Sequence, residues 1–143
     1  MELREIRTED ELMVAFHLMV ELRPHLNHES FHGLYRQAKE HDGYTLVGAF
    51  EGTACAGLMG YRVLYDFVHG KHLYIDDLVV SPQRRSQGIG AILLSHAETR
   101  AKELQCVGLR LCTGVENERG IAFYQRCGWK QRSVVFKKNF SPI

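Results

Sequence analysis

The segment Arg85-Ser86-Gln87-Gly88-Ile89-Gly90 limits what this chain can fold into more than any other stretch. It follows Leu73 to Val80, a run of strand formers closed by Ser81-Pro82. It opens Gly88 to Leu104, where Ile89, Ile92, Leu93, Ala97, Ala101 and Leu104 recur at helical spacing. Val107 to Thr113 reads as the next strand. A strand, a glycine turn, a helix and a further strand predict a right-handed parallel crossover. The first amides of such a helix lack partners inside it, and they point where the helix dipole favours negative charge. Gly88 and Gly90 leave those amides approachable, and Arg84 and Arg85 add charge suited to phosphate. The turn is not a P-loop, because no Gly-Lys-Ser/Thr follows, and it lacks the third glycine of a dinucleotide fingerprint. By itself it is an anion site or a tight turn with solvated arginines.

The rest of the chain supports an α/β plan. Leu3 to Ile6 suits a short strand. Thr8 and Glu11 form a capping box before Leu12, Ala15, Phe16, Met19 and Leu22, and Pro24 ends that helix. Phe31, Leu34, Tyr35 and Ala38 predict a second helix over Ser30 to Glu40. Tyr44 to Phe50 and Thr53 to Val63 read as a hairpin turning at Glu51-Gly52, with a loop over Asp66 to Lys71. Asn117 caps a helix running to about Cys127, closed by Gly128. Trp129 onward, especially Ser133 to Lys137, predicts one or two final strands. The economical reading is one domain over residues 1–143.

Several classes are excluded. No apolar run is long enough to span a bilayer, and Met1 to Asp10 is not a secretory signal. A formal net charge of +1 and scattered basic pairs argue against a nucleic-acid partner. Cys55, Cys106, Cys112 and Cys127 form no C-x-x-C pair; the first three sit among apolar residues and are expected in the core, and a cytoplasmic setting follows. His25, His28 and His32 lie close together without a further ligand in place, so no metal is expected.

Val80-x-Pro82-x-x-Arg85-x-x-Gly88-Ile89-Gly90, followed by Leu93-Leu94, resembles the acyl-CoA motif of the GNAT N-acyltransferase superfamily. Asn117, Ala122, Phe123-Tyr124 and Gly128-Trp129 match that family's second signature in order. The resemblance covers nearly the whole chain. It implies a mixed, mostly antiparallel sheet of about six or seven strands flanked by about four helices, with a central βαβ unit that binds CoA. Acetyl-CoA is then the cosubstrate. The amides from Gln87 to Ala91 (Gln87, Gly88, Ile89, Gly90, Ala91), with Arg85 and Ser86, would hold its pyrophosphate. Leu78, Val79 and Val80 would pair with the pantetheine arm, as a peptide adds to a sheet edge. Asn117 would contact the arm or fix the last helix, and Tyr124 would sit near the thioester sulfur. The family's habit also implies a homodimer. A narrower likeness joins Gly70-Lys71-His72-Leu73-Tyr74-Ile75-Asp76-Asp77-Leu78 to spermidine/spermine acetyltransferases, which carry a glutamate where this chain has Asp76.

Amine acetylation needs a base for the ammonium, a donor for the oxyanion and a proton for the thiolate. Asp76 is the expected base or amine anchor, with Asp77 second. As neighbours on a strand they face opposite ways unless a bulge intervenes, and both are open to a purely structural reading. Tyr124 is the expected acid: a phenol with pKa near 10 can protonate a thiolate of pKa about 8.5. An amide near Val79 suits the oxyanion, and His72 suits a proton relay. Glu21, Glu29, Asp42 and Asp66 suit either the attraction of a cationic amine or a solvated surface. The function expected is acetyl transfer to a primary amine of a small molecule, such as a polyamine or amino acid. A peptide or protein N-terminus is an alternative acceptor. A non-catalytic acyl-CoA sensor and a nucleotide-binding regulator are the competing classes.

Overall fold

Thr8 starts the first helix as its sequence requires. Its hydroxyl takes the Glu11 amide at 3.1 Å, and the Glu11 carboxylate takes the Thr8 and Arg7 amides. Glu11 also receives the Arg4 guanidinium at 3.0 Å. The Arg7 amide first, then Arg4, hold the Glu11 carboxyl down to about 2. Because the folded value lies below the unfolded one, this contribution is complete above about pH 4.5 and is lost as pH falls toward 2. Glu11→Gln is therefore expected to lower Tm at pH 6 and to flatten its fall between pH 4.5 and 2.5, measured by thermal melts across that range.

The computed structural model describes all residues from Met1 to Ile143, which form two units, Met1–Arg110 and Leu111–Ile143. The first holds β1 (Glu2–Glu5), α1 (Glu9–Leu22), α2 (His28–Asp42), β2 (Thr45–Glu51), β3 (Ala54–Asp66), β4 (Gly70–Val80) and α3 (Ile89–Glu103). A 3-10 turn, Pro82–Arg84, joins β4 to α3, and β5 (Gly108–Leu111) follows α3. The sheet runs β1-β2-β3-β4-β5; the first three pairings are antiparallel, and β4–α3–β5 is the crossover that makes it mixed. Five strands replace the six or seven expected.

Two layers of helix cover the sheet. Leu12, Ala15, Phe16 and Met19 of α1 and Phe31 of α2 bury against Tyr44, Leu46, Leu58 and Val79. On the opposite face Ile89 and Leu93 of α3 close over Gly57, whose absent side chain gives them room: a Cβ there would lie 2.8 Å from Ile89. Ile89, Leu93, Leu94, Ala97 and Ala101 are buried, whereas Ile92 is 44% exposed. Leu94 takes the place expected for Ile92, because at about 100° per residue the buried side is centred near Ala97 and Ile92 falls outside it.

The second unit contains α4 (Glu118–Arg126). Asn117 caps it by accepting the Gly120 amide at 3.1 Å, and it donates to Thr113 at 2.8 Å. Gly128 takes a positive φ of 90° after the last turn, and the Trp129 amide returns to the Tyr124 carbonyl at 3.0 Å. The strands expected from Trp129 onward, including Ser133 to Lys137, are absent. Val134, Val135 and Phe136 are exposed, and strand formers without a neighbouring strand have no ladder to join. The cysteines also depart from expectation. All four are free, Cys112 is exposed, and Cys55 and Cys106 are half-buried rather than core.

Candidate active site

β4 and the turn after it build one continuous feature. The outer half of β4 pairs with β3 through Val80↔Gly57, Val79↔Leu58 and Leu78↔Met59. β5 starts beside the beginning of β4, where the Val107 amide donates to the Lys71 carbonyl at 2.8 Å. Four residues at about 3.3 Å each end short of Leu78. The edge of Leu78–Val80 away from β3 therefore presents backbone donors and acceptors with no strand beside them.

Past that edge, Ser81 accepts the Arg84 amide at 2.8 Å, and the chain enters α3 through Ser86 at φ 64° and Gly88 at φ 80°. Gly88 occupies the N-cap, where no side chain bonds the first amides of α3. A fifteen-residue helix thus begins with uncapped N–H groups aimed out of the fold, next to a free strand edge. Arg85 is exposed and enters no ion pair within the protein, so its charge is free to meet phosphate. Arg84 behaves differently: it bonds Gln87 at 2.7 Å and pairs with Glu51. The two arginines of the turn therefore do not share the expected role. A cleft of about 280 Å³ lies alongside, lined by Val14, His17 and Glu21 of α1 and by Cys55, Ser81 and Gln83. Burial pushes the Cys55 thiol up to about 11, which makes it a poor nucleophile.

A β-bulge determines where the aspartates go. Gly60 pairs with Asp77 but Tyr61 pairs with Ile75, so Asp76 is the extra residue on β4. Ile75 follows Tyr61 and Val79 follows Leu58, whose side chains lie on opposite sheet faces. The bulge consequently turns both Asp76 and Asp77 toward the face covered by α1 and α2. Asp77 accepts the Tyr44 hydroxyl at 2.7 Å and the Arg23 guanidinium at 3.1 Å. Arg23, at the end of α1, also donates to the Asp76 carbonyl at 3.0 Å, fastening the bulge to the helix. Burial, then the Asp77 charge, push the Tyr44 phenol well above its ordinary value. Asp76 receives a two-pronged guanidinium from Arg62, at 2.8 and 2.9 Å. Burial raises the Asp76 carboxyl and Arg62 opposes that rise. Asp42 lies 3.9 Å from the same Arg62, and Arg62 and Arg110 both lie against the Tyr74 ring.

Of the sequence-predicted residues, β4 and the α3 turn bring together Leu78, Val79, Val80, Arg85, Ser86, Gln87, Gly88, Ile89, Gly90 and Ala91, with Asp76 and Asp77 on the same strand. Asn117 and Tyr124 lie on the second unit, where Tyr124 is half-buried and its ring lies 5.3 Å from Phe123 and 6.1 Å from Trp129. Arg23, Tyr44 and Arg62 were not legible as site residues. Gly60 was the available signal, since glycine inside a strand marks a bulge or a close approach. His32 bonds Glu9 at 3.0 Å and His28 packs on Phe16.

A family model described as acetyltransferase (GNAT) matches residues 2–129. The chain belongs to the GNAT acetyltransferase family. It is 27% identical over 137 residues to an uncharacterized N-acetyltransferase, YhdJ, of Bacillus subtilis, covering 95% of this chain and 96% of that one. It is 30% identical over 81 residues to the thialysine N-epsilon-acetyltransferase of Bos taurus, covering 57% of this chain and 48% of that enzyme. Among solved structures, the aminoglycoside enzyme AAC(6')-Iy in complex with a CoA–acetylneamine bisubstrate analogue superposes with a TM-score of 0.82. That likeness carries 17% identity over 96% of this chain and 97% of that one, and it confirms the fold. The chain is an acetyl-CoA-dependent N-acetyltransferase. Its uncapped α3 N-terminus and free β4 edge fit the two polar parts of that cosubstrate, the pyrophosphate and the amide-bearing pantetheine arm. No helix of this acetyltransferase is long and apolar enough to cross a membrane.

Proposed function

We propose that this acetyltransferase moves the acetyl group directly from acetyl-CoA to the primary amine of a small molecule, with residues 1–143 acting as one catalytic domain. The carrying observation is the run of one strand from the paired aspartates of the bulge, through the unpaired edge at Leu78–Val80, to the uncapped start of α3. That run supplies acceptor chemistry and donor chemistry along a single element. The amines named for the two relatives above, thialysine and neamine, support a small-molecule acceptor.

In this reading the pyrophosphate sits on the amides from Gln87 to Ala91 with Arg85 and Ser86 beside it, and the arm pairs with Leu78–Val80. Asn117 steadies the arm or the start of α4. The amine nitrogen attacks the thioester carbonyl, a free-edge amide beside Val79 stabilises the oxyanion, and the C–S bond breaks as the amide bond forms. The departing thiolate takes a proton from Tyr124. The ammonium proton leaves through a water to Asp76, which the Arg62 fork holds in one orientation. Each oxygen of Asp76 keeps a second lone pair for that contact. Burial raises the Asp76 carboxyl, which makes it a better base than a solvated aspartate. Holding both substrates together supplies much of the rate, so no covalent enzyme intermediate is invoked.

A panel of polyamines, amino acids and peptide N-termini, scored by free thiol release from acetyl-CoA, tests the proposal. Asp76→Asn is expected to lower kcat/KM by about 100-fold, and Tyr124→Phe to lower kcat by about 10-fold to 100-fold, with CoA affinity unchanged. Full turnover in both variants would remove the assigned roles. No thiol release from any amine, with CoA still bound, would leave an acyl-CoA sensor instead.

A further inference from the structure

The turn joining β3 to β4 gathers Asp66, His69 and His72, none of which has a part in the transfer proposed above, although Asp66 and His72 suit amine attraction and a proton relay by sequence. Asp66, His69 and His72 place a carboxylate oxygen and two ring nitrogens within 4.8 Å of one another. They come from the last residue of β3, the turn and the third residue of β4, so the hairpin itself sets their spacing. His69 Nδ1 lies 3.1 Å and 3.2 Å from the two Asp66 oxygens. His72 Nε2 lies 3.9 Å from Asp66 Oδ2, too far for a hydrogen bond.

His72 is the decisive residue. It is 1% exposed, and its Nε2 is buried without any hydrogen-bond partner. Its Nδ1 lies 3.1 Å from the Gly70 carbonyl. A carbonyl only accepts, so Nδ1 carries the proton and Nε2 is left with a bare lone pair. A buried acceptor with nothing to accept costs stability. A metal ion removes that cost, and an imidazole oriented by a backbone carbonyl on its other nitrogen is the usual arrangement of a histidine ligand. Asp66 is likewise oriented, since its Oδ1 accepts the Val68 and His69 amides at 3.0 and 2.7 Å. Oδ2 is the oxygen nearer His72.

We propose that Asp66, His69 and His72 bind a divalent transition-metal ion, with zinc the best match to a two-imidazole, one-carboxylate set. Metal–ligand bonds of about 2.0–2.2 Å in a tetrahedron put ligand atoms about 3.4 Å apart. The observed separations bracket that value, so small side-chain rotations complete the site. The fourth position faces solvent beside the exposed Asp66 and takes a water. Magnesium and calcium are disfavoured, because they demand oxygen ligands. His69 Nδ1 shifts its proton to Nε2 on binding, which exchanges its bond to Asp66 for a bond to the metal. His72 lies four residues along β4 from Asp76, about 13 Å, so the ion pins the hairpin and stands outside the transfer reaction.

The test uses the full chain, stripped with chelator, titrated with zinc chloride against a chromophoric competitor. About one equivalent is expected to bind with Kd of about 10 µM or tighter, while magnesium leaves binding unchanged. Tm is expected to rise by roughly 5–10 °C at a hundredfold excess over Kd. Asp66→Asn and His69→Ala are each expected to weaken binding at least about 10-fold. Both residues are largely outside the core, so these variants keep the fold, whereas His72→Ala would empty a buried position. Cobalt substitution should give a spectrum without a thiolate charge-transfer band, excluding the free cysteines. No saturable binding, or binding that survives both Asp66→Asn and His69→Ala, overturns the proposal.

Discussion

Gly88→Asp is expected to weaken CoA binding by about 100-fold or more while the protein stays folded. Gly88 caps α3 at φ 80°, a Cβ there meets no atom within 4 Å, and no side chain bonds the helix amides. Aspartate tolerates the left-handed region better than most residues, so the backbone cost is about 1–2 kcal/mol. Its carboxylate then stands where the pyrophosphate is proposed to lie. Two unit charges about 4 Å apart near a protein surface repel by about 4 kcal/mol, and salt reduces that figure. A loss of about 2.7 kcal/mol in binding corresponds to the stated hundredfold. Gly88→Asn separates charge from strain, because it has the same shape and backbone demand without the charge. Calorimetry with CoA at fixed salt should place Gly88→Asn within about 10-fold of the parent protein. Equal affinity of Gly88→Asp and the parent would move the pyrophosphate away from this helix.

That experiment concerns the part of the site that was legible from residues alone. Gly88, Gly90 and Arg85 announce an anion-binding turn because its chemistry is local: a strand ends, glycines intervene and a helix begins. Thr8 with Glu11, and Asn117 before α4, are local in the same sense, and both caps form as expected. What failed was decided by partners distant in sequence. Ser133 to Lys137 has strand composition, but a strand exists only where another lies beside it, and none does. Arg84 reads like Arg85 until Glu51 claims it. Asp76 and Asp77 alternate only where no bulge intervenes, and a one-residue slip against β3 supplies that bulge and puts them on one face. The hairpin cluster was missed because Asp66, His69 and His72 make no helical or C-x-x-C pattern. Only the turn geometry and the burial of His72 bring their ligand atoms together.

The bulge rests on a residue with no side chain, and this makes Gly60→Ala the largest expected loss of stability. A Cβ at Gly60 would lie 1.7 Å from Tyr44 Oη and 2.3 Å from Cζ, far inside any permitted contact. Tyr44 cannot simply yield. Its ring is packed in the core with Leu46 and Leu58, and its hydroxyl is bonded to Asp77. Displacing the ring costs about 1–3 kcal/mol of packing, and losing a hydrogen bond to a charged group adds about 1.5–3 kcal/mol. For a chain of this size the sum lowers Tm by roughly 10 °C, readable by calorimetry. Asp77 then keeps only Arg23, so the fastening of the bulge loosens as well, and kcat/KM for the preferred amine should fall with Tm. A double-mutant cycle separates the clash from other effects. Tyr44→Ala removes the ring that the new methyl strikes, so Gly60→Ala should cost less than about 1 kcal/mol in that background. If Gly60→Ala proved equally damaging with and without Tyr44, the tyrosine would not be what requires glycine here. The preference would then come from the bulged backbone itself.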